Sequence, residues 1–191
     1  MKIIKLTESD LGKIVRRVIK ESQDETIVYL HGLDAVPIGV KINFLYSLGY
    51  DVFAPHLNYR NEDSNEIFDW MVDEISKRNV KLIIGSSMGG FLAYCLCKKL
   101  GIDGLLFNPV LDPNIPMDRF GISFDTSGKY NPNIEIVMGE IDELLPPQLT
   151  MDWIESNVGD NNYDKHIEPN MGHRVPIDVF VKWIEKRLSS K

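Results

Sequence analysis

The residues Gly85-Ser86-Ser87-Met88-Gly89 stand between an apolar run, Val80-Lys81-Leu82-Ile83-Ile84, and a helical pattern from Phe91 to Leu100. Strand, tight turn and helix is the setting in which a G-x-S-x-G pentapeptide lifts its central serine above the strand ends. The turn is too crowded for any side chain at the flanking glycines. Ser87 therefore reads as a nucleophile. A serine hydroxyl attacks only if a base takes its proton and a third group orients that base. Two candidates follow in chain order, Asp142 in Gly139-Glu140-Ile141-Asp142 and His173 in Asn170-Met171-Gly172-His173. Such a set performs acyl transfer. It also needs donors for the developing oxyanion, and the backbone N–H of Met88, next to the nucleophile at a helix start, is one. The second is expected from Leu33, after His31-Gly32 in the loop following the first core strand.

Competing residues read differently. Ser86 falls one position early and supports the turn. Glu140, Glu143 and Asp112 rival Asp142, which is favoured because its loop precedes Pro146-Pro147, where a helix restarts. His31 is expected to brace the oxyanion loop or pack beneath the site. The four histidines show no metal spacing, and no metal or cofactor is expected. A phosphate cradle needs G-x-x-x-x-G-K-[ST], whereas no lysine follows these glycines. Cys95 and Cys97, two apart on a helical pattern, point in different directions and match neither a redox nor a zinc motif, so they read as packing thiols in a reducing compartment. Trp70, Trp153 and Trp183 fall at apolar helical positions and are expected in the core.

The elements that must hold these residues alternate. Strands are expected at 26–30, 51–54, 80–85, 104–107, 134–138 and 163–167, and helices at 37–48, 64–78, 91–100, 147–157 and 176–188. The segment 108–133, rich in proline and glycine, reads as a loop; its Met117, Phe120, Phe124 and Tyr130, joined by Leu57 and Tyr59, form the expected pocket wall. Leu57, Tyr59 and Phe120 are the candidate substrate contacts. Short apolar runs between amphipathic helices predict an α/β fold with a mostly parallel sheet of about six strands, helices covering both faces. Ligands in such sheets bind beyond the carboxyl ends of the strands, where every candidate residue falls.

Before the first core strand, residues 7–21 read as an amphipathic helix with Leu11, Ile14, Val15, Val18 and Ile19 on one face. The chain divides accordingly into a leader, 1–24, and a catalytic domain, 25–191. The 191 residues carry a net charge of −7, which excludes the clustered basic face that nucleic acid or an anionic membrane would need. No apolar run is long enough to span a bilayer, and the N-terminus lacks the apolar stretch of a signal peptide, so a cytoplasmic location is expected.

With Tyr29-Leu30-His31-Gly32, the Gly85-to-Gly90 turn and Asn108-Pro109, the chain from about Thr26 onward resembles the small YqiA-like serine esterases of the α/β-hydrolase superfamily. It departs from them at Leu33-Asp34-Ala35 and at Met171-Gly172-His173-Arg174. The resemblance implies a triad at Ser87, Asp142 and His173, oxyanion contacts at Leu33 and Met88, and cofactor-free hydrolysis of carboxylic esters through an acyl-enzyme. Acyl-CoA thioesters or peptides are alternative substrates for the same triad, and a non-catalytic binding module is the alternative from another class. The leader, from Lys5 to Ile19, is similar to a short segment on proteins of large tailed bacteriophages. That similarity implies a virus-encoded chain whose helix docks on its own core, on a second copy or on a virion.

Overall fold

A computed structural model describes residues 25–158 and 163–189. The expected leader helix and the boundary after residue 24 lie outside the described residues. Six strands, β1 (Thr26–Leu30), β2 (Asp51–Phe53), β3 (Val80–Ser86), β4 (Gly104–Phe107), β5 (Ile134–Gly139) and β6 (Tyr163–Glu168), form one sheet in the order β2-β1-β3-β4-β5-β6. Every neighbouring pair is parallel. The helices are α1 (Val40–Ser47), α2 (Ser64–Ser76), α3 (Met88–Leu100), α4 (Asn114–Phe120), α5 (Pro147–Asn157) and α6 (Ile177–Ser189).

Side chains alternate across a strand, so a sheet covered on both faces needs apolar residues at odd and even positions alike. The central strands meet that demand. Val28, Leu30, Ile83, Leu106, Ile136 and Met138 pack on one face with Ile67, Phe68 and Met71 of α2, with α3 and with Ile154 of α5. Ile27, Tyr29, Leu82, Ile84, Leu105, Phe107 and Val137 pack on the other with Leu45 of α1 and with Phe180, Trp183 and Ile184 of α6. Strand β6 closes one edge with the sequence Tyr163-Asp164-Lys165-His166-Ile167-Glu168, buried only at its two ends, and such polar edges discourage pairing with other chains.

Three expectations change. The segment 108–133 is not wholly a loop, because α4 forms inside it. Its prolines suit the first turn, where a missing N–H leaves no bond unmade, and the Asp112 carboxylate accepts the Asn114 N–H at 2.9 Å to start it. The first expected helix begins at Val40 rather than Pro37, since Gly39 precedes it with φ of 98°. Trp70 is not a core residue: it is 44% exposed and rests against Phe53 with ring centroids 6.0 Å apart. Trp183 is buried as expected, its indole N–H donating to Glu168. Cys95 and Cys97 are buried free thiols, and burial pushes both up from the ordinary thiol range.

Candidate active site

Strand order reverses at β1, with β2 on one side and β3 on the other. The crevice beyond the strand ends at such a reversal is where open parallel sheets bind ligands. The loop after β1 and the turn after β3 meet there: a Cβ built on Gly32 would lie 3.3 Å from the Cβ of Ser87.

Ser87 occupies the turn between β3 and α3 with φ of 55° and ψ of −118°. A non-glycine residue held so costs on the order of 1–3 kcal/mol and persists only where its surroundings over-determine it. They do. The Ser87 N–H donates to Phe107 O at 3.0 Å, and its carbonyl accepts from the N–H groups of Gly90 and Phe91 at 2.9 and 3.1 Å. Helix α3 is pressed onto the sheet at the same point. A Cβ on Gly89 would fall on the carbonyls of Leu30 and His31, and one on Gly85 would fall on the Gly89 carbonyl.

The serine hydroxyl lies 3.1 Å from Nε2 of His173, and Nδ1 of that ring lies 2.9 Å from Oδ2 of Asp142. The three side chains thus form one line. The Asp142 side chain is fully enclosed, whereas His173 is about a quarter exposed. Its other oxygen, Oδ1, accepts the N–H groups of Leu144 and Leu145, both at 2.9 Å. A carboxylate can only accept, so Nδ1 carries the proton and Nε2 presents its lone pair to the serine. Two rival acids turn elsewhere: Glu140 accepts the Asn170 N–H at 3.3 Å, and Asp112 accepts the backbone and side-chain N–H groups of Asn114 at the start of α4. Ser86 is the last residue of β3.

The loops bearing Asp142 and His173 are tied together by a residue whose part the sequence did not disclose. Asn108, buried with φ of 43°, follows β4. Its Oδ1 accepts the Gly139 N–H at 2.7 Å, while Nδ2 donates to the carbonyls of Gly172 and His173, each at 3.0 Å. One amide therefore joins the ends of β4 and β5 to the histidine loop. The usable signal is chemical: asparagine is among the few non-glycine residues that tolerate positive φ.

His31 braces the loop after β1. Its Nε2 accepts the Leu57 N–H at 3.0 Å, its Nδ1 lies 2.8 Å from the Gly32 carbonyl, and its own carbonyl accepts the Tyr59 hydroxyl at 3.0 Å. Burial pushes the imidazole below the ordinary histidine value, outweighing the pull of the Gly32 carbonyl. A neutral ring is what the Nε2 acceptor role requires.

A cavity of about 400 Å³ opens over Ser87 and His173, a size suited to a small ligand. Leu33 and Met88 line it, with Ile115, Pro116 and Phe120 from α4 and Leu144 and Leu145 from the acid loop. Leu57 and Tyr59, expected on its wall, are not among its lining residues. Both are buried, and their polar groups are engaged in holding His31 in place. Arg119 and Arg174, which do line the cavity, were not singled out from the sequence. No grouping of three or more His, Cys, Asp or Glu residues suited to a metal ion occurs among the described residues.

The model of the uncharacterised protein family UPF0227 matches residues 26–135, more than half of the chain. The chain belongs to this family. The match spans the first four strands and only the start of β5 and includes the serine turn, whereas Asp142 and His173 follow it. No curated protein sequence matches this UPF0227 member. Among solved structures, it is similar to a protein of Xanthomonas campestris pv. campestris assigned to the α/β hydrolase superfamily, with a TM-score of 0.63 and 18% identity over 86% of this chain and 99% of the other. It is similar also to esterase PE8, with a TM-score of 0.66 and 12% identity over 90% and 94% of the two chains. A third is the monoacylglycerol lipase of Paleococcus ferrophilus, with a TM-score of 0.62 and 14% identity over 87% and 95%. The YqiA-like resemblance and the α/β-hydrolase fold thus stand. Among the described residues no helix is long and apolar enough to cross a membrane.

Proposed function

We propose that this protein is a serine hydrolase that cleaves a small carboxylic ester through an acyl-enzyme. The observation that carries the reading is the unbroken line from the Ser87 hydroxyl through His173 to the enclosed Asp142 carboxylate. In the first step Ser87 Oγ attacks the ester carbonyl as its proton passes to His173 Nε2. The imidazolium is stabilised and kept in its tautomer by Asp142. As the tetrahedral intermediate collapses, the carbon–oxygen bond to the alcohol breaks and His173 returns the proton to the departing alkoxide. Water then repeats the sequence on the acyl-serine, releasing the acid and restoring the hydroxyl.

The oxyanion is assigned to the backbone N–H groups of Met88 and Leu33. Both residues line the cavity beside Ser87. Neither amide donates to a protein acceptor among the described residues, so both are available to the substrate. Preorganised donors of this kind contribute about 10²- to 10³-fold each to turnover. The modest cavity, walled by Phe120 and Ile115, favours a short acyl ester over a long-chain lipid.

The test is covalent. A fluorophosphonate probe should label the wild-type protein and its Ser86→Ala variant, and a short-chain aryl ester should be turned over by both. Ser87→Ala should lose the adduct and about 10⁴-fold or more of kcat while remaining folded. An adduct mapped to another residue would refute the assignment, and a folded protein that neither labels nor hydrolyses would be a binding module.

A further inference from the structure

Five arginines lie among the described residues, and three are matched with carboxylates. Arg60 pairs with Asp34, Arg78 with Glu74 and Arg187 with Asp103. Arg119 and Arg174 have no ion-pair or hydrogen-bond partner among the described residues. Of the described arginines, these two alone line the cavity over Ser87. In a chain with 28 acidic residues against 21 basic ones, two arginines left unmatched over one cavity stand out.

Two acids of the loop after β5 are engaged elsewhere. Asp142 is enclosed beneath His173, Glu140 faces Asn170, and among the described residues no carboxylate lines the cavity. Arg60 also approaches it, its guanidinium 4.9 Å from the Phe120 ring centroid, but Asp34 already neutralises that charge at 2.5 Å. The cavity is thus an apolar enclosure with two positive side chains, both on exposed residues. Arg174 directly follows the base, and Arg119 sits in the last turn of α4. A guanidinium's fork of donors matches a carboxylate or phosphate and nothing uncharged so well.

Resting on the hydrolase reading above, we infer that the ester taken by this site carries an anionic group, a carboxylate or a phosphate, which Arg119 and Arg174 bind. The group stands at the end of a short apolar chain that the lining leucines and Phe120 hold. It sits either on the acyl part or on the alcohol, and both placements use the same ion-pair chemistry.

Three aryl or alkyl butyrate-sized esters test this: a neutral one, one with a carboxylate on the acyl part, and one with a phosphate on the alcohol. At low salt kcat/KM for at least one anionic ester should exceed that for the neutral ester by about tenfold. The margin should shrink at about 1 M salt, where screening reaches about 3 Å. Arg119→Gln with Arg174→Gln should bring the anionic-to-neutral ratio near one, and Arg119→Glu with Arg174→Glu should invert it. Whichever anionic ester gains identifies the pairing of group and side that the site takes. Turnover of the neutral ester with no anionic preference, or a preference the double variant leaves intact, would overturn this inference while leaving the hydrolase reading in place. Binding of butyl phosphate and of butyrate to Ser87→Ala protein, measured by titration calorimetry, provides the separate arm. If the wild type neither labels nor hydrolyses yet Ser87→Ala binds these anions through Arg119 and Arg174, hydrolysis fails and anion recognition stands. If neither anion binds and no anionic ester is preferred, the inference is wrong.

Discussion

Replacing Asn108 with alanine removes three hydrogen bonds at once. The Gly139 N–H it served is buried in the β5 end, and a buried donor left unmatched costs about 1–3 kcal/mol. The carbonyls of Gly172 and His173 belong to partly exposed residues and regain water, so their loss adds little. Alanine at a φ of 43° adds about 1 kcal/mol that asparagine bears more easily. The sum is about 2–4 kcal/mol, or a fall of about 5–15 °C in Tm for a chain of this size. Asn108→Gly loses the same bonds without the backbone strain and should sit about 1 kcal/mol above alanine. Because the amide holds the backbone of His173 itself, kcat per folded molecule should also fall, by about 10- to 100-fold, with KM less affected. Urea unfolding followed by tryptophan fluorescence, alongside ester turnover normalised to folded protein, measures both. An Asn108→Ala protein within about 0.5 kcal/mol of wild type, at unchanged kcat, would show that the amide holds nothing.

Two further expectations concern the relay and the brace. Asp142→Asn should cut kcat by about 10⁴-fold, the cost of stabilising the wrong imidazole tautomer, whereas Asp112→Asn should leave turnover within about threefold because that carboxylate only caps α4; the reverse ranking in a steady-state assay would relocate the acid. Burial holds His31 below the ordinary histidine value, so the unfolded chain takes up its proton first, and the stability tied to the neutral ring is present above the unfolded value and lost as pH falls through the lower, folded one. Unfolding free energy should therefore decline between about pH 7 and pH 5 more steeply in wild type than in His31→Gln, and parallel slopes in denaturant titrations would remove His31 from the account.

The sheet was legible because short continuous apolar runs bounded by turn residues mark strands covered on both faces: β4 begins and ends where the residues 104–107 predict, and α5 spans 147–157 as its prolines and polar end require. The meeting of Ser87, Asp142 and His173 could be anticipated from a glycine-flanked turn and from chain order, both local signals. What stayed hidden depends on distant partners. Leu57 and Tyr59 look like pocket residues by type, yet their place is decided by His31, some 26 and 28 positions earlier. Trp70 has an apolar side chain at a helical position, but it meets the sheet at Phe53 of the short edge strand β2 and stays largely exposed. Helix α4 was concealed by prolines that usually interrupt helices and here open one. Arg119 and Arg174 gain meaning only because no carboxylate among the described residues pairs with them, which no reading along the chain displays.

The all-parallel sheet constrains how the protein comes to be assembled. With no hairpin anywhere in the strand order, each ladder must wait for a crossover segment to be closed, and chain entropy is lost before the new contacts repay it. Ser87 and His173 lie 86 positions apart, on opposite sides of three further strands in the sequence. Helices can form early and locally, but the proton path cannot exist until the β5 end and the histidine loop have docked. On the proposed mechanism, reactivity of Ser87 during refolding would report completion of the long-range architecture rather than recovery of secondary structure, and it should be among the last properties to return.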